Sequence, residues 1–176
     1  MANREALREL QARLASRLQA AKAEGLSISW LAARAGGVNY LLPLAQSGQI
    51  FPVPTVQSVP YAQPWFMGVG NLQGGLFGLV DFAAFIKGGH MPTRSEQSLL
   101  QARVVTMNAA LAINCALLVD ELAGLKQLNA LPRSEPPPVG SPACFGNRYA
   151  DEQGVYWQEI NLQVLSKMPE FLGVSA

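Results

Sequence analysis

Apolar residues along this chain recur with two different periods, and the first of these predicts a helix near the N-terminus. Between residues 4 and 23 the apolar positions lie three or four apart, at Leu7, Leu10, Leu14, Leu18 and Ala21. This spacing is typical of an amphipathic helix, which we expect to end at Gly25. Its apolar face needs a surface to lie on, either its own domain, a partner protein or a membrane. Glu5 and Glu9 favour the first two, because they dilute the basic face that anionic lipid attracts.

From Trp30 onwards the period changes to two, which predicts short β-strands separated by turns. Strands at 30–35 and 38–44 are expected to form a hairpin around Gly36 and Gly37, a pair that tolerates positive φ. One face of its second strand carries Val38, Tyr40, Leu42 and Leu44. The pattern therefore indicates a mainly β protein.

Three further strand pairs follow the same rule. The segment 66–82 predicts a hairpin that turns at Gly74 and Gly75, and the segments 103–108 and 111–119 predict another. A last pair at 149–160 turns at 152–154, and Asn161 is placed to cap a closing helix at 162–167. Many short strands separated by turns favour small barrels over an open parallel sheet.

Chain breakers suggest how these strands are divided. Prolines leave few ladder hydrogen bonds at 48–63, which we expect to be irregular, and the triple proline at 136–138 makes 132–142 a surface loop in preference to an SH3 ligand. The polar, glycine-rich segment 88–98 is the predicted boundary between two halves. The expected organisation is an N-terminal helix at 1–27 and a domain at 28–172. Within that domain we expect a first barrel at about 28–88, a linker at about 88–98 and a second barrel at about 99–168.

Charge is scarce and unevenly distributed. Charged residues make up 14% of the chain, against roughly 25% in typical soluble domains, and the 46 residues from Ala35 to Val80 contain none. Such a span must be buried or kept for a partner. The net charge of +1 removes the electrostatic attraction behind most non-specific nucleic-acid binding, so we expect neither DNA nor RNA as a partner.

The same features bear on the compartment. Cys115 and Cys144 show no paired spacing, which fits a reducing environment. Prolines interrupt the apolar middle of the chain before it reaches the roughly 20 residues of a membrane helix, and charges at 4–17 interrupt any signal peptide. We therefore expect a cytoplasmic protein without direct membrane insertion.

Residues that carry chemistry are few, and we expect neither catalysis nor a cofactor nor a metal. His90 is the only histidine and lies in a glycine-rich loop, where a solvated side chain is the simpler interpretation. Cys115 lies in an apolar run that should raise its thiol pKa, so a core residue is favoured over a nucleophile. Asp81 and Asp120 each end an apolar strand, where a carboxylate accepts backbone N–H bonds from the following turn.

The segment 65–82 resembles the signature of CheW-like chemotaxis coupling domains. The matching positions are Phe66, Gly68, Asn71, Leu72, Gly74 and Asp81. Further likeness lies in the sequence LLVDELAGL at 117–125 and in residues 151–165, and the whole covers roughly 30–172. The resemblance implies two SH3-like five-stranded barrels side by side, with a groove between them. The closing sequence is most similar to the PilI-type branch of the family, which serves type IV pilus twitching motility.

In the family that the chain resembles, an adaptor couples the cytoplasmic tip of a methyl-accepting chemoreceptor to the regulatory domain of a CheA-like histidine kinase. Carried over by residue, this implies that the receptor groove is bordered by Gly68, Asn71, Gln73 and Gly74, with Val104 and Val119 as its apolar wall. It also implies kinase contacts at Val38, Tyr40 and Leu42.

One position departs from the family pattern. Many members have arginine where this chain has Gln73, so the forked positive charge is missing and a receptor contact there should be neutral. Two other hypotheses remain open. The chain is alternatively a small-molecule-binding or enzymatic β-barrel with residues 48–64 as a lid, or a structural partner of the pilus machinery without a kinase.

Overall fold

A computed structural model describes residues 9, 11–16 and 28–176 of the chain. Residues 9 and 11–16 are helical and exposed, as the N-terminal periodicity predicts for these positions. The rest of the predicted helix at 4–23 lies outside the described residues.

The described part of the chain is mainly β, which confirms the expected fold class. The strands are β1 Ser29–Ala35, β2 Val38–Pro43, β3 Ser47–Pro52, β4 Val56–Gln57, β5 Phe66–Leu72, β6 Gly75–Asp81, β7 Arg103–Met107, β8 Cys115–Val119, β9 Glu121–Gln127, β10 Arg133–Glu135, β11 Phe145–Ala150 and β12 Tyr156–Ile160. The helices are Phe82–Ile86, Glu96–Gln101, Leu162–Leu165 and Pro169–Leu172, with 3-10 turns at Ala109–Leu111 and Leu128–Ala130.

These strands form two six-stranded sheets, one strand more in each than the resemblance implies. Sheet 1 has the order β10-β11-β12-β2-β1-β9, and sheet 2 has the order β3-β7-β8-β6-β5-β4. Neighbours pair antiparallel except for β12 with β2 and β6 with β8, which are parallel. Each parallel pair joins two strands of one sheet that are far apart in sequence.

The sheets do not follow the predicted division at 88–98, which is a correction. Strand β3 precedes that segment and pairs with β7, which follows it, and β6 pairs with β8 across the same segment. Sheet 1 takes its strands from both ends of the domain, and sheet 2 takes the middle. The breakers at 88–98 therefore mark a crossover within sheet 2, because Glu96–Gln101 leads directly into β7.

The first two predicted hairpins are present, and one of them turns one residue earlier than expected. In the predicted pair at 103–108 and 111–119 the second strand, β8, begins only at Cys115, after the 3-10 turn Ala109–Leu111. The β1–β2 hairpin turns at Gly36 and Gly37, with φ of +57° and +79°. The β5–β6 hairpin turns at Gln73 and Gly74, with φ of +49° and +84°, one residue earlier than predicted. Two successive positive φ values suit the right-handed twist of the flanking strands.

Three other predictions need adjustment. The segment 48–63 is less irregular than expected, because β3 and β4 form there as the two edges of sheet 2, where proline is tolerated. The loop 132–142 contains the short β10, and β11 begins at Phe145, before the predicted strand. Asn161 caps the closing helix as predicted by accepting a hydrogen bond from the Val164 N–H at 3.1 Å, but that helix ends at Leu165.

Within the described ranges, apolar side chains form three clusters. The largest lies between the sheets and joins residues of sheet 1, such as Leu31 and Leu42, to residues of sheet 2, such as Val105 and Leu117. A smaller cluster around Trp30 belongs to sheet 1, and another around Leu79 belongs to sheet 2. Each sheet thus has its own core, and a third core fills the space between them.

Candidate functional site

The tip of the β5–β6 hairpin brings three predicted receptor residues together at the surface. Asn71, Gln73 and Gly74 are all exposed. The Asn71 side-chain oxygen accepts a hydrogen bond from the Gly74 N–H at 2.9 Å, which fixes the turn. A Cβ at Gly74 would have nothing within 4 Å, so this part of the backbone is open to a partner. We call residues 71–74 the hairpin tip.

An open cavity of about 370 Å³ lies beside the hairpin tip. Leu72 and Phe77 line it from the hairpin, and Phe51 lines it from β3. The remaining lining residues are Gly48, Gln49, Thr106, Met107, Asn108, Ala109, Ile113 and Asn114. All of the lining residues are uncharged, and they combine apolar side chains with the carboxamides of Gln49, Asn108 and Asn114. The cavity suits an apolar side chain whose neighbouring groups form hydrogen bonds.

Gly68, the fourth residue predicted to border the groove, is buried at the base of the hairpin instead. Its φ is +132°, and a Cβ there would overlap the backbone carbonyl oxygen of Gln57. The absence of a side chain lets the backbone of residues 57–58, which follows β4 beside β5, lie close against Gly68. Gly68 therefore supports the fold and does not face a partner.

The predicted apolar wall of the groove is also buried, which is a second correction. Val104 belongs to the cluster of sheet 2, and Val119 belongs to the cluster between the sheets. Both side chains are almost completely covered. Strand alternation identifies apolar positions, but it does not distinguish a groove from a core that a second sheet covers.

Two of the three predicted kinase-contact residues lie inside as well. Tyr40 and Leu42 belong to the cluster between the sheets, where the Tyr40 ring packs edge-on against Phe82 at 4.9 Å between ring centres. Val38 is 42% exposed at the start of β2, beside the β1–β2 turn. Of the three, Val38 alone is available to a partner.

Asp81 and Asp120 converge because β6 and β8 are parallel neighbours. In that register Asp81 lies opposite Leu118, so β6 and β8 finish side by side at the same end of sheet 2. Asp81 is fully buried and accepts a hydrogen bond from the Ala84 N–H at 3.1 Å, which confirms its predicted role as a cap. Asp120 behaves differently, because it accepts a hydrogen bond at 2.7 Å from the N–H of Gly36 in the β1–β2 turn.

Arg94 bridges these two carboxylates, a role that sequence reasoning missed. Its two terminal nitrogens donate to the Asp81 oxygens at 2.5 and 3.1 Å, and its Nε donates to Asp120 at 2.5 Å. Burial acts to lower the pKa of Arg94, but the hydrogen bonds and charges of the two carboxylates outweigh it and raise that pKa. The sequence contained a signal for this role. Two aspartates end strands, and Arg94 is the only Arg or Lys at 88–95 that could pair with them.

The remaining candidates for chemistry are held as structural residues. Both cysteines are buried and free, and burial raises the thiol pKa of Cys115 to about 12 and of Cys144 to about 11. The predicted inert setting of Cys115 is thus confirmed. His90 is exposed, and its Nδ1 donates to the Lys87 carbonyl oxygen at 2.9 Å.

The described residues form neither a metal-binding cluster nor a helix that could span a membrane. Among residues 9, 11–16 and 28–176, no group of three or more His, Cys, Asp or Glu side chains is arranged to hold a metal ion. No helix in the same ranges has the length and apolar character needed to cross a membrane.

Comparison with known proteins places this arrangement in a family. Protein PilI from Pseudomonas aeruginosa is 27% identical over 114 residues, which cover 65% of this chain and 61% of PilI. The chain thus matches less than two thirds of the length of that relative. The crystal structure of the scaffolding protein TtCheW from Thermoanaerobacter tengcongensis matches with a TM-score of 0.65 at 16% identity, over 82% of this chain and 96% of that one.

The fold of this chain is therefore that of a CheW scaffold. The match to PilI supports the predicted branch. Residues 29–163 match the sequence profile described as the CheW-like domain, and the chain belongs to the CheW-like domain family.

Proposed function

We propose that this protein is a non-catalytic adaptor that couples the cytoplasmic tip of a chemoreceptor to the regulatory domain of a CheA-like histidine kinase. Membership of the CheW-like family supports an adaptor role. The observation that carries the proposal is the exposed, uncharged hairpin tip beside an uncharged cavity. This surface offers hydrogen bonds and an apolar floor without the reactive groups that a catalytic site needs.

The hairpin tip and its cavity are the proposed receptor site. A helical hairpin that presents an apolar side chain fits the floor of Phe51, Leu72 and Phe77, while Gln49 and Asn114 at the rim offer hydrogen bonds. Gln73 keeps this contact neutral. Binding there should depend weakly on salt, because little charge is screened.

The proposed kinase site is the surface around the β1–β2 turn. Gly37 and Val38 are exposed there, and a Cβ at Gly37 would have nothing within 4 Å. The turn is on sheet 1 and the hairpin tip is on sheet 2, so one adaptor offers a separate element to each partner.

Strand addition is a poor alternative for either partner, because the sheet edges are protected. The edge strands β4 and β10 have two and three residues. The pairing of β3 and of β9 with their neighbours is interrupted by register shifts, and β9 carries Lys126. Short, irregular and charged edges discourage pairing with another chain. Recognition through side chains is therefore favoured.

The pilus system is the proposed setting. The relative PilI, whose name denotes a pilus protein, and the resemblance of the closing sequence to the PilI-type branch both support control of type IV pilus twitching motility. The adaptor is then cytoplasmic and recruited to membrane-associated receptor arrays.

A pull-down from a detergent extract of the source cell, which retains membrane receptors, tests the proposal. We expect a chemoreceptor and a histidine kinase to be recovered together, with purified components binding at micromolar or tighter affinity. Recovery of pilus components without a kinase would favour a structural role in that machinery. A small molecule that co-purifies in the cavity beside the hairpin tip would favour a ligand-binding barrel.

A further inference from the structure

The β1–β2 turn is held from two sides by elements that do not belong to its own hairpin. The N–H of Gly36 donates to Asp120 at 2.7 Å, and the carbonyl oxygen of Gly36 accepts from the Lys87 Nζ at 3.0 Å. Asp120 follows the last residue of β8, and Lys87 ends the helix Phe82–Ile86. A turn of sheet 1 is thus fixed to the end of sheet 2 at which β6 and β8 finish.

Arg94 completes these contacts into a closed ring. From Gly36 the ring runs to Asp120, then to Arg94, and then to Asp81, which caps the helix Phe82–Ile86. Lys87 at the end of that helix returns to Gly36. The Arg94 side chain is only 10% exposed, and the ring holds two carboxylates against two cationic groups.

Close packing leaves the turn little freedom inside the ring. A Cβ at Gly36 would lie 2.9 Å from the Ala83 Cβ, so the backbone of the turn lies directly on the helix. Gly37 and Val38 come immediately after this anchored residue and are exposed. The ring therefore determines where Val38 is presented.

We infer that Arg94 is a positioning residue for partner binding at the β1–β2 turn. By holding Asp120 against Gly36, it fixes the place of Val38 without contacting the partner itself. The inference rests on the proposed function, in which the partner at this turn is the β-barrel regulatory domain of a histidine kinase. Arginine is required because its fork engages two carboxylates at once, whereas a lysine ammonium is a single point charge.

Two variants test this role. Arg94→Lys keeps the charge and removes the fork. Asp120→Ala removes the acceptor of the Gly36 N–H while leaving the pair between Arg94 and Asp81 in place, so it serves if the first variant folds poorly. The matched control is Lys126→Gln, which breaks an ion pair with Asp151 and lies opposite Trp30, at the other end of β1 from the turn.

The measurements are affinity for the kinase regulatory domain, affinity for a receptor-tip peptide and hydrogen exchange of the backbone amides. At a temperature where all variants are folded, both test variants should lose about tenfold or more in affinity for the kinase domain. Their affinity for the receptor-tip peptide should change less than about twofold. The amides of Gly37 and Val38 should exchange faster, and the control should match wild type.

A purely structural role predicts different results. Equal weakening of both affinities would overturn the inference, because a general loss of structure acts on both sites. Unchanged affinity of Asp120→Ala for the kinase domain would overturn it while leaving the proposed function intact. Wild-type protein that fails to bind the kinase domain would overturn both.

Discussion

The two ends of the β5–β6 hairpin have opposite characters. At the base, Gly68 and Asp81 are buried, Gly68 against the Gln57 backbone and Asp81 in hydrogen bonds with Arg94 and the Ala84 N–H. At the tip, Asn71, Gln73 and Gly74 are exposed, and the described contacts of Asn71 are with its own turn. One short segment thus contains both residues that build the fold and residues that remain available to a partner.

The difference shows that a family signature is not a list of contact residues. The base positions of the CheW-like pattern are buried and make contacts that hold the fold together, whereas its tip positions face solvent. If this separation is correct, changes at the base should cost stability and changes at the tip should alter binding. The following variants test it, from the largest expected effect on stability to the smallest.

Asp81→Ala should be the most damaging. It removes a helix cap and leaves the Arg94 charge without its buried partner, which costs about 3–5 kcal/mol of unfolding free energy. Urea denaturation followed by circular dichroism measures the loss. Asp81→Asn is the matched variant, because it keeps an acceptor for the Ala84 N–H and should fall between alanine and wild type. A loss below about 1 kcal/mol for the alanine variant would contradict the account.

Gly68→Ala should follow, with a loss of about 3 kcal/mol, because the added Cβ meets the Gln57 carbonyl at a φ that side chains rarely adopt. Gly74→Ala is the control at the tip. It also has a positive φ but meets nothing within 4 Å, so it should cost about 1 kcal/mol. The same urea titration compares them, and equal losses would remove the proposed difference between base and tip.

Val104→Ala distinguishes a core residue from a groove wall. Val104 is fully buried in sheet 2, so truncation should lower the unfolding free energy by about 1–3 kcal/mol. The affinity of the folded protein for a receptor-tip peptide should stay within about twofold of wild type. Affinity that falls more steeply than stability would restore Val104 to the binding surface.

Gln73→Arg should have the smallest effect on stability and a clear effect on binding. The side chain is exposed, so the unfolding free energy should change by less than about 0.5 kcal/mol. Affinity for receptor-tip peptides should change by about threefold or more, upward for a peptide with a carboxylate and downward for a neutral one. Gln127→Arg on β9 is the exposed control. If the variant and the wild type bind both kinds of peptide with equal affinity, Gln73 is excluded from the interface.

Local features of the fold were predictable from the sequence. Period-two alternation and the glycines at 36–37 and 74–75 place the two hairpins, and Asp81 and Asn161 follow the pattern of capping residues. The partition of the strands into two sheets was not predictable, because the β6–β8 and β3–β7 pairs join strands that are far apart in sequence and leave no local signal. Sequence patterns therefore predict structure held by hydrogen bonds between near neighbours in the chain, and they do not predict pairing between distant strands.

The candidate site was predictable in part for the same reason. Asn71, Gln73 and Gly74 share one turn, so their proximity follows from the hairpin itself. Four residues predicted at binding surfaces lie in the core instead, because an apolar strand residue has the same sequence pattern in a groove and in a core. They are Tyr40, Leu42, Val104 and Val119. The role of Arg94 depends on two parallel strands ending side by side, which only the folded chain shows.

The central claim is that one adaptor holds two proteins on separate elements. Isothermal titration of the purified chain with a receptor-tip peptide, before and after saturation with the kinase regulatory domain, tests it most directly. The account predicts that each binds with micromolar or tighter affinity and that the chain binds both at once, with little dependence on salt. Absence of binding to either, or mutually exclusive binding of the two, would contradict it.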